Sequence, residues 1–201
     1  MRIAAIVLAA GRSSRMGPLN KLLERLGGKA VVARVVSAAI ASGADPVVVV
    51  TGFESDRVEE VLRGLSATFI HNPDFEEGMS SSIHAGIKAL PKDCDGAMIL
   101  LGDMPAIAAS DLEALMAAFA KGGSEAICVP VRDGKRGNPL LWGRSYFAEM
   151  MQLSGDAGAK QLIAKHQAHV VEVEVESDGI FADVDTPEDL ARLKAKLGAQ
   201  S

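Results

Sequence analysis

The chain has 201 residues, 48% of them hydrophobic, with 21 basic and 26 acidic side chains and a net charge of −5. That length predicts one domain over residues 1–201 with a sizeable core, and the negative balance argues against a general nucleic-acid or membrane-surface partner. No apolar stretch reaches the roughly 18 residues of a membrane span, and "MRIAAIVLAAG" enters a loop too soon for a signal peptide, so a cytoplasmic setting is expected. With 6 Phe, 1 Trp and 1 Tyr, the core falls to Ala, Val, Leu and Ile, which suits helices packed on a parallel sheet. Cys94 and Cys128 lie in or beside apolar runs and read as buried free thiols.

In chain order, "RIAAIVLA" reads as a first strand and "AVVARVVSAAIAS", closed by Gly43, as a helix. "PVVVVTG" is a buried strand, and "SDRVEEVLRGL" an amphipathic helix with Ser55 as its expected cap. "ATFIHN" is a third strand, followed by the helix "SSSIHAGIKAL", expected to be capped by one of its serines. "GAMILLG" is a fourth strand. "SDLEALMAAFAKGG" sets Ser110 three residues before Glu113, which predicts a capping box. "EAICVPV" is a fifth strand.

The rhythm then changes. "RDGKRGNPLLW" reads as a hairpin, expected to be an insertion beside the active cleft. "SYFAEMMQL" and "DAGAKQLIAKH" read as helices, "HVVEVEV" as a half-exposed edge strand, and "TPEDLARLKAKL" as a closing helix with Pro187 in its first turn. Alternation of β and α at this spacing predicts an α/β fold, a mostly parallel sheet covered on both faces.

Charge is uneven along the chain. Residues 1–34 carry seven basic side chains and one acid, Glu24, whereas residues 169–189 carry eight acids and neither Lys nor Arg. Both stretches are compatible with solvated surface, or with one site in which the first holds anions and the second a metal. Three stretches at expected strand ends bear on that choice, because open α/β sheets bind ligands beyond the carboxyl ends of their strands.

The first is "LAAGRSSRMGPLNK". It matches neither the dinucleotide fingerprint nor a Walker loop, since five residues separate Gly11 from Gly17 and Pro18 stands where the lysine belongs. It has the parts of a phosphate cradle nonetheless: glycines that let backbone N–H groups approach an anion, with Arg12, Arg15 and Lys21 to neutralise it. The second is "LLGDMP", where Asp103 is a carboxylate suited to Mg²⁺ or to capping the next turn. The third is "DVDTPEDL". Asp183 and Asp185 point the same way if the stretch is extended, and Thr186 or Asp185 is expected to cap the helix that follows.

"LAAGRSSRMG…NK", "NPDFEEGMSSSIHAGI", "LLGDMP", "GKRGNPLLW", "SGDAGAKQLI" and "DVDTPEDL" occur in an order that resembles the nucleotidyltransferases of the molybdenum-cofactor group. The resemblance spans almost the whole chain. It implies a three-layer Rossmann-like nucleotidyltransferase fold, of the nucleotide-diphospho-sugar transferase type, and Mg²⁺-dependent transfer of CMP from CTP. The acceptor it implies is the terminal phosphate of molybdopterin, the products molybdopterin cytosine dinucleotide and pyrophosphate. Leu8, Ala9, Ala10 and Gly11 would then lie against the nucleotide, and Arg12, Arg15 and Lys21 would bind its phosphates, with Arg15, Lys21 and Asp103 carrying catalysis. Gly78 and a serine of Ser80, Ser81 or Ser82, Ser82 foremost, would serve the base and ribose pocket. Asp103 would hold Mg²⁺ with Asp183 or Asp185. Arg136, Gly137 and Asn138, with Asp156, Gly158 and Lys160, would line the molybdopterin side. Transient handover of the product to a molybdenum hydroxylase or its chaperone is also implied.

These residue types suit the chemistry. A phosphate monoester is already ionised at neutral pH, so it needs positioning and charge relief rather than a strong base. No catalytic His is required, and of His71, His84, His166 and His169 only His84, one turn into the expected serine-capped helix, is a candidate ligand contact. The guanylyltransferase branch usually reads L-A-G-G where this chain reads Leu8-Ala9-Ala10-Gly11. The added methyl of Ala10 leaves less room near the base and favours a pyrimidine, at about 1–3 kcal/mol. Asn138 and Lys160 replace the His and Arg common in the branch, and Lys cannot reproduce a bidentate Arg contact. GTP or another nucleotide, a sugar-phosphate acceptor, and a non-catalytic cofactor-delivery role are the competing readings.

Overall fold

The structure, a computed structural model, describes residues 1–12, 19–156 and 158–198. Arg15, expected to act in catalysis, lies outside the described residues, as does Ala157.

The first strand, β1 (Ile3–Ala9), is followed by a 3-10 turn, Lys21–Leu23, and a small antiparallel hairpin of β2 (Arg25–Leu26) and β3 (Lys29–Ala30). Then come α1 (Val31–Ala41), β4 (Val47–Thr51), α2 (Ser55–Val61), β5 (Thr68–His71), α3 (Met79–Lys88), β6 (Gly96–Leu101) and α4 (Ala109–Gly122). The remainder is β7 (Ile127–Arg132), β8 (Lys135–Arg136), β9 (Leu140–Gly143), α5 (Phe147–Met150), α6 (Gln161–Lys165), β10 (Val170–Glu174) and α7 (Pro187–Gly198).

The main sheet has the order β10-β7-β9-β6-β1-β4-β5, with β8 paired to β7. β1 lies parallel to both β4 and β6, and β4–β5 and β7–β10 are also parallel. The chain therefore leaves β1 between two strands reached by different crossovers, which opens a crevice at its carboxyl end.

Period-two alternation divides the core into two faces. Ile3, Ala5, Val7 and Ala9 of β1 face one cluster with Val32, Val35 and Val36 of α1 and Leu112, Leu115 and Phe119 of α4. Ala4 and Ile6 face the other, with Ile83 of α3, Met150 of α5 and Leu162 of α6. Helices on both faces of a mostly parallel sheet make the three layers expected. Cys94 and Cys128 are buried free thiols, and burial pushes the Cys128 pKa up to about 11.

Four local expectations are corrected. β7 and β8 do form a hairpin around Asp133 and Gly134, but the "PLLW" run does not sit beside the cleft: β9 lies antiparallel between β6 and β7, every residue buried. A four-residue apolar run carries too little periodicity to reveal burial on both faces. The Ser110–Glu113 capping box is absent, because α4 begins two residues earlier than that box requires and the Asp111 carboxylate accepts from the Ala108 N–H at 3.1 Å. Ser55 does not cap α2 and no serine caps α3, whose preceding residues are Glu54 and Gly78. The helices expected from "SYFAEMMQL" and "DAGAKQLIAKH" are shorter: a 3-10 turn leading into α5, and α6 alone.

A third, small cluster of Leu26, Val31, Val184 and Leu190 clamps the hairpin and the start of α7 together. Burial of side chains of this size contributes roughly 1.5–3 kcal/mol each. It joins the two oppositely charged ends of the chain.

Candidate active site

Asp103 emerges one residue after Gly102, whose N–H donates to the Leu8 carbonyl at 2.9 Å. The end of β6 is thereby tied to the end of β1. The Val184 N–H donates to the Asp103 carbonyl, also at 2.9 Å, so the "DVDT" segment runs directly beside Asp103. Thr186 is the residue that caps α7. Its hydroxyl accepts from the Asp189 N–H at 3.2 Å, and the Asp189 carboxylate accepts from the Thr186 and Asp185 N–H groups at 2.9 and 3.2 Å. The Thr186 hydroxyl also donates to the Asp189 carboxylate at 2.8 Å, and this bond, ahead of the two backbone N–H groups, holds the Asp189 carboxyl below the usual carboxylate range. Thr186→Ala is expected to lower stability by about 1 kcal/mol, read as a shifted urea midpoint at unchanged slope.

With the cap assigned to Thr186, the Asp185 side chain turns to Lys21. The Lys21 Nζ lies 2.6 Å from Asp103 Oδ2 and 2.7 Å from Asp185 Oδ1. The three side chains are 15%, 18% and 33% exposed, enough burial for the charges to matter. Burial opposes the charge on Lys21, but Asp103 and Asp185 outweigh it and raise its pKa above the ordinary value. Burial also raises the Asp103 carboxyl against the attraction of Lys21, with Asp185 and Asp183 adding to the rise. The second oxygen of Asp103, Oδ1, is buried and has no hydrogen-bond partner among the described residues.

This cluster forms one wall of a cleft of about 750 Å³ whose lining includes Leu8, Ala10, Gly11, Arg12, Gly78, Ser82, Asp156 and Asp183. Arg12 stands at the rim, 61% exposed, with Nη2 2.6 Å from Glu76 Oε1 and its guanidinium over the rings of Phe53 and Phe75. The floor on the α3 side rests on Asn72. That buried amide donates to Ser81 Oγ at 2.9 Å and Ser82 Oγ at 3.0 Å. Ser81 in turn donates to the Gly78 carbonyl, so its hydroxyl is engaged within the loop, whereas Ser82 also lines the cleft. Asn72 is not among the expected site residues, although it ends the strand "ATFIHN" and opens the motif "NPDFEEGMSSSIHAGI".

Gly78 has φ +104°, and a Cβ there would lie 2.4 Å from the Gly155 backbone carbon. It is the hinge point where the loop before α3 meets the loop bearing Asp156 and Gly158, and the Ser80 N–H donates to the Gly155 carbonyl. Gly78→Ala is expected to cost about 1–3 kcal/mol from the clash and the left-handed backbone, measurable by chemical denaturation.

Not every expected site residue gathers here. Arg136 pairs with Glu172 of β10 at 2.7 Å, on the far side of β7 from β6. The Gly137 and Asn138 N–H groups donate to the Pro130 and Ile180 carbonyls. None of these three lines the cleft, and neither does Lys160, which is exposed just before α6. His84 lies 3.1 Å from the Met150 carbonyl and is also outside the lining.

A second cleft, about 740 Å³, lies against α1 and α2. Its arginines are already engaged: Arg25 by the Gly28 carbonyl, Arg57 by Glu54 and Arg63 by Glu60. It offers no buried unpaired acceptor among the described residues. The first cleft is the candidate active site.

The MobA-like NTP transferase domain matches residues 5–170. The chain belongs to this family. The MobA-like chain is 26% identical over 197 residues to a molybdenum cofactor cytidylyltransferase from Escherichia coli strain K12, covering 96% of each. It is 31% identical over 202 residues to the purine catabolism protein PucB of Bacillus subtilis strain 168, covering 93% of each. A solved nucleotidyl transferase from Methanothermobacter superposes on the MobA-like domain with a TM-score of 0.87 at 25% identity, covering 100% of this chain and 99% of that one. The fold is that of the nucleotidyltransferases.

Proposed function

We propose that the protein transfers CMP from CTP to the terminal phosphate of molybdopterin, giving molybdopterin cytosine dinucleotide and pyrophosphate. The observation that carries the reading is the convergence of Asp103 and Asp185 on Lys21, beside the end of β1. The sequence motifs and the family both point to a nucleoside triphosphate in that crevice.

The donor set suits a hard divalent cation. Asp103 Oδ1 is a buried carboxylate oxygen lacking a partner, and Asp185 and Asp183 stand on the facing segment. No group of three or more His, Cys, Asp or Glu among the described residues makes a closed metal cage. Mg²⁺ does not need one, since it takes one or two carboxylates and completes its shell with phosphate oxygens and water. Asp103 and Asp185 would hold it, and it would supply charge relief between the two anionic reactants.

The protein's own groups do the rest. Backbone from Leu8 to Gly11 lies along the nucleotide. Lys21 turns from the carboxylates to the phosphates and stabilises charge on the leaving pyrophosphate. Arg12 exchanges Glu76 for a phosphate at the rim. Ala10, buried at the end of β1 and lining the cleft, narrows the base pocket toward a pyrimidine. Asp156, which lines the cleft, and Gly158, beside Met79, border the acceptor side.

The test offers CTP, GTP, ATP and UTP separately with Mg²⁺ and molybdopterin and follows pyrophosphate release. CTP-dependent release supports the reading. Release with GTP alone, or only with a sugar phosphate as acceptor, replaces it. A product of this kind calls for direct handover to a molybdenum hydroxylase or its chaperone, in a cytoplasmic setting, and co-purification with such a protein tests that part.

A further inference from the structure

Lys21 is not aimed by its own packing alone. It opens a single 3-10 turn whose first N–H groups need an acceptor. Asn20, only 4% exposed, supplies it: its Oδ1 accepts from the Leu22 N–H at 3.1 Å. The other end of the same amide, Nδ2, donates to Glu54 Oε2 at 3.1 Å. A buried Asn held at both ends has one orientation, and the turn it caps has one direction. Release of either end frees the amide to rotate.

Glu54 is itself unusual. It sits between β4 and α2 with φ 52° and ψ 38°, the left-handed region. Glycine and asparagine occupy that region readily and glutamate seldom does. Its carboxylate carries Arg57 on one oxygen and Asn20 on the other, and Arg57 first, Asn20 second, hold its pKa below the usual value. A residue kept in a disfavoured backbone conformation invites a reason in its side chain. The only buried group its carboxylate serves among the described contacts is Asn20.

We infer that Glu54 is a positioning residue for Lys21: by fixing the Asn20 amide it locks the turn that holds the ammonium between Asp103 and Asp185. The inference rests on the proposed role of that site in nucleotidyl transfer for its consequence on rate, but the positioning itself is independent of it.

Glu54→Gly separates the two roles a side chain here can have. It removes the contact to Asn20 while giving the backbone a residue that accepts φ 52° without strain, so the relief offsets part of the cost of the unpaired Asn20 amide and the melting temperature is expected to stay within about 5 °C of wild type. Competitive acylation with acetic anhydride, read by peptide mass spectrometry against the exposed Lys29 as internal reference, reports how well Lys21 is shielded by its carboxylates. In Glu54→Gly the Lys21 acylation rate is expected to rise, and kcat for pyrophosphate release to fall, each by about ten- to a hundredfold with KM for CTP changed far less. Glu54→Gln, whose amide oxygen still accepts from Asn20, is expected to restore both to within about threefold of wild type. Wild-type acylation of Lys21 in Glu54→Gly, or a Glu54→Gln as impaired as Glu54→Gly, overturns the inference. Absence of pyrophosphate release from the wild type with any nucleotide would instead overturn the functional reading, and the acylation rates would still decide the positioning.

Discussion

Asp103→Asn is expected to lower pyrophosphate release by about a thousandfold or more, with the melting temperature within about 5 °C of wild type. The asymmetry follows from the environment of the side chain. Asp103 is mostly buried, with Oδ1 unpartnered and Oδ2 on Lys21, so its charge is costly to bury and only partly compensated. Asparagine keeps the shape and removes that cost, while Lys21 retains Asp185. What is lost is the anionic oxygen a divalent cation needs, which an amide replaces poorly. Turnover at the wild-type rate in a folded Asp103→Asn protein would rule out this site as the place of nucleotidyl transfer and leave binding and delivery of the cofactor as the better account. Circular dichroism and a pyrophosphate assay on the same preparation decide it.

Lys21→Ala should have a comparable effect on rate and an opposite one on metal. The ammonium lies between Asp103 and Asp185, where a cation would also be attracted. Its removal leaves two carboxylates facing each other, and stability should drop by about 1–2 kcal/mol, less than for a fully buried pair because solvent reaches Asp185. Divalent cation alone should restore it. A ligand bound only by the folded state at a hundred times its dissociation constant adds about 2.7 kcal/mol, so Mg²⁺ or Mn²⁺ should raise the melting temperature of Lys21→Ala by several degrees more than that of the wild type. Equal shifts in the two proteins would show that these carboxylates do not form a cation site. Turnover should remain depressed by about a thousandfold even with metal, because the positive charge on the leaving phosphates is missing.

Much of the architecture is legible in the residues. Continuous β-branched runs such as "PVVVV" mark strands buried on two faces, and "HVVEVEV" alternates as an edge strand does; both are found so, in β4 and β10. Two of the three motifs do follow strands, the opening loop after β1 and Asp103 after β6, but the third is corrected: β10 ends at Glu174, and "DVDTPEDL" follows the 3-10 turn Asp178–Phe181. Less visible was anything set by pairing across the chain. β9 lies antiparallel between β6 and β7, buried on both faces, and nothing within "PLLW" names its neighbours. The expected box at Ser110 failed for a related reason: Asp111 and Glu113 both suit the first turn, and the start of the helix, set by packing on the sheet, chose between them.

The sequence by itself determined which residue types were available for chemistry and their local setting: Lys21 after a cationic glycine loop, Asp103 after an apolar strand, Asp185 ahead of a helix that it or Thr186 caps. It determined this because local periodicity and capping depend on neighbours a few residues away. Only the tertiary structure decided that Lys21 meets Asp103 and Asp185 together, that Arg12 rests on Glu76, and that Arg136 and Asn138 stand away from the cleft. Those outcomes depend on contacts between residues as much as 164 positions apart, drawn together by the burial of Leu26, Val31, Val184 and Leu190 in one small cluster. Burial of that kind is a property of the assembled surfaces, not of any one segment.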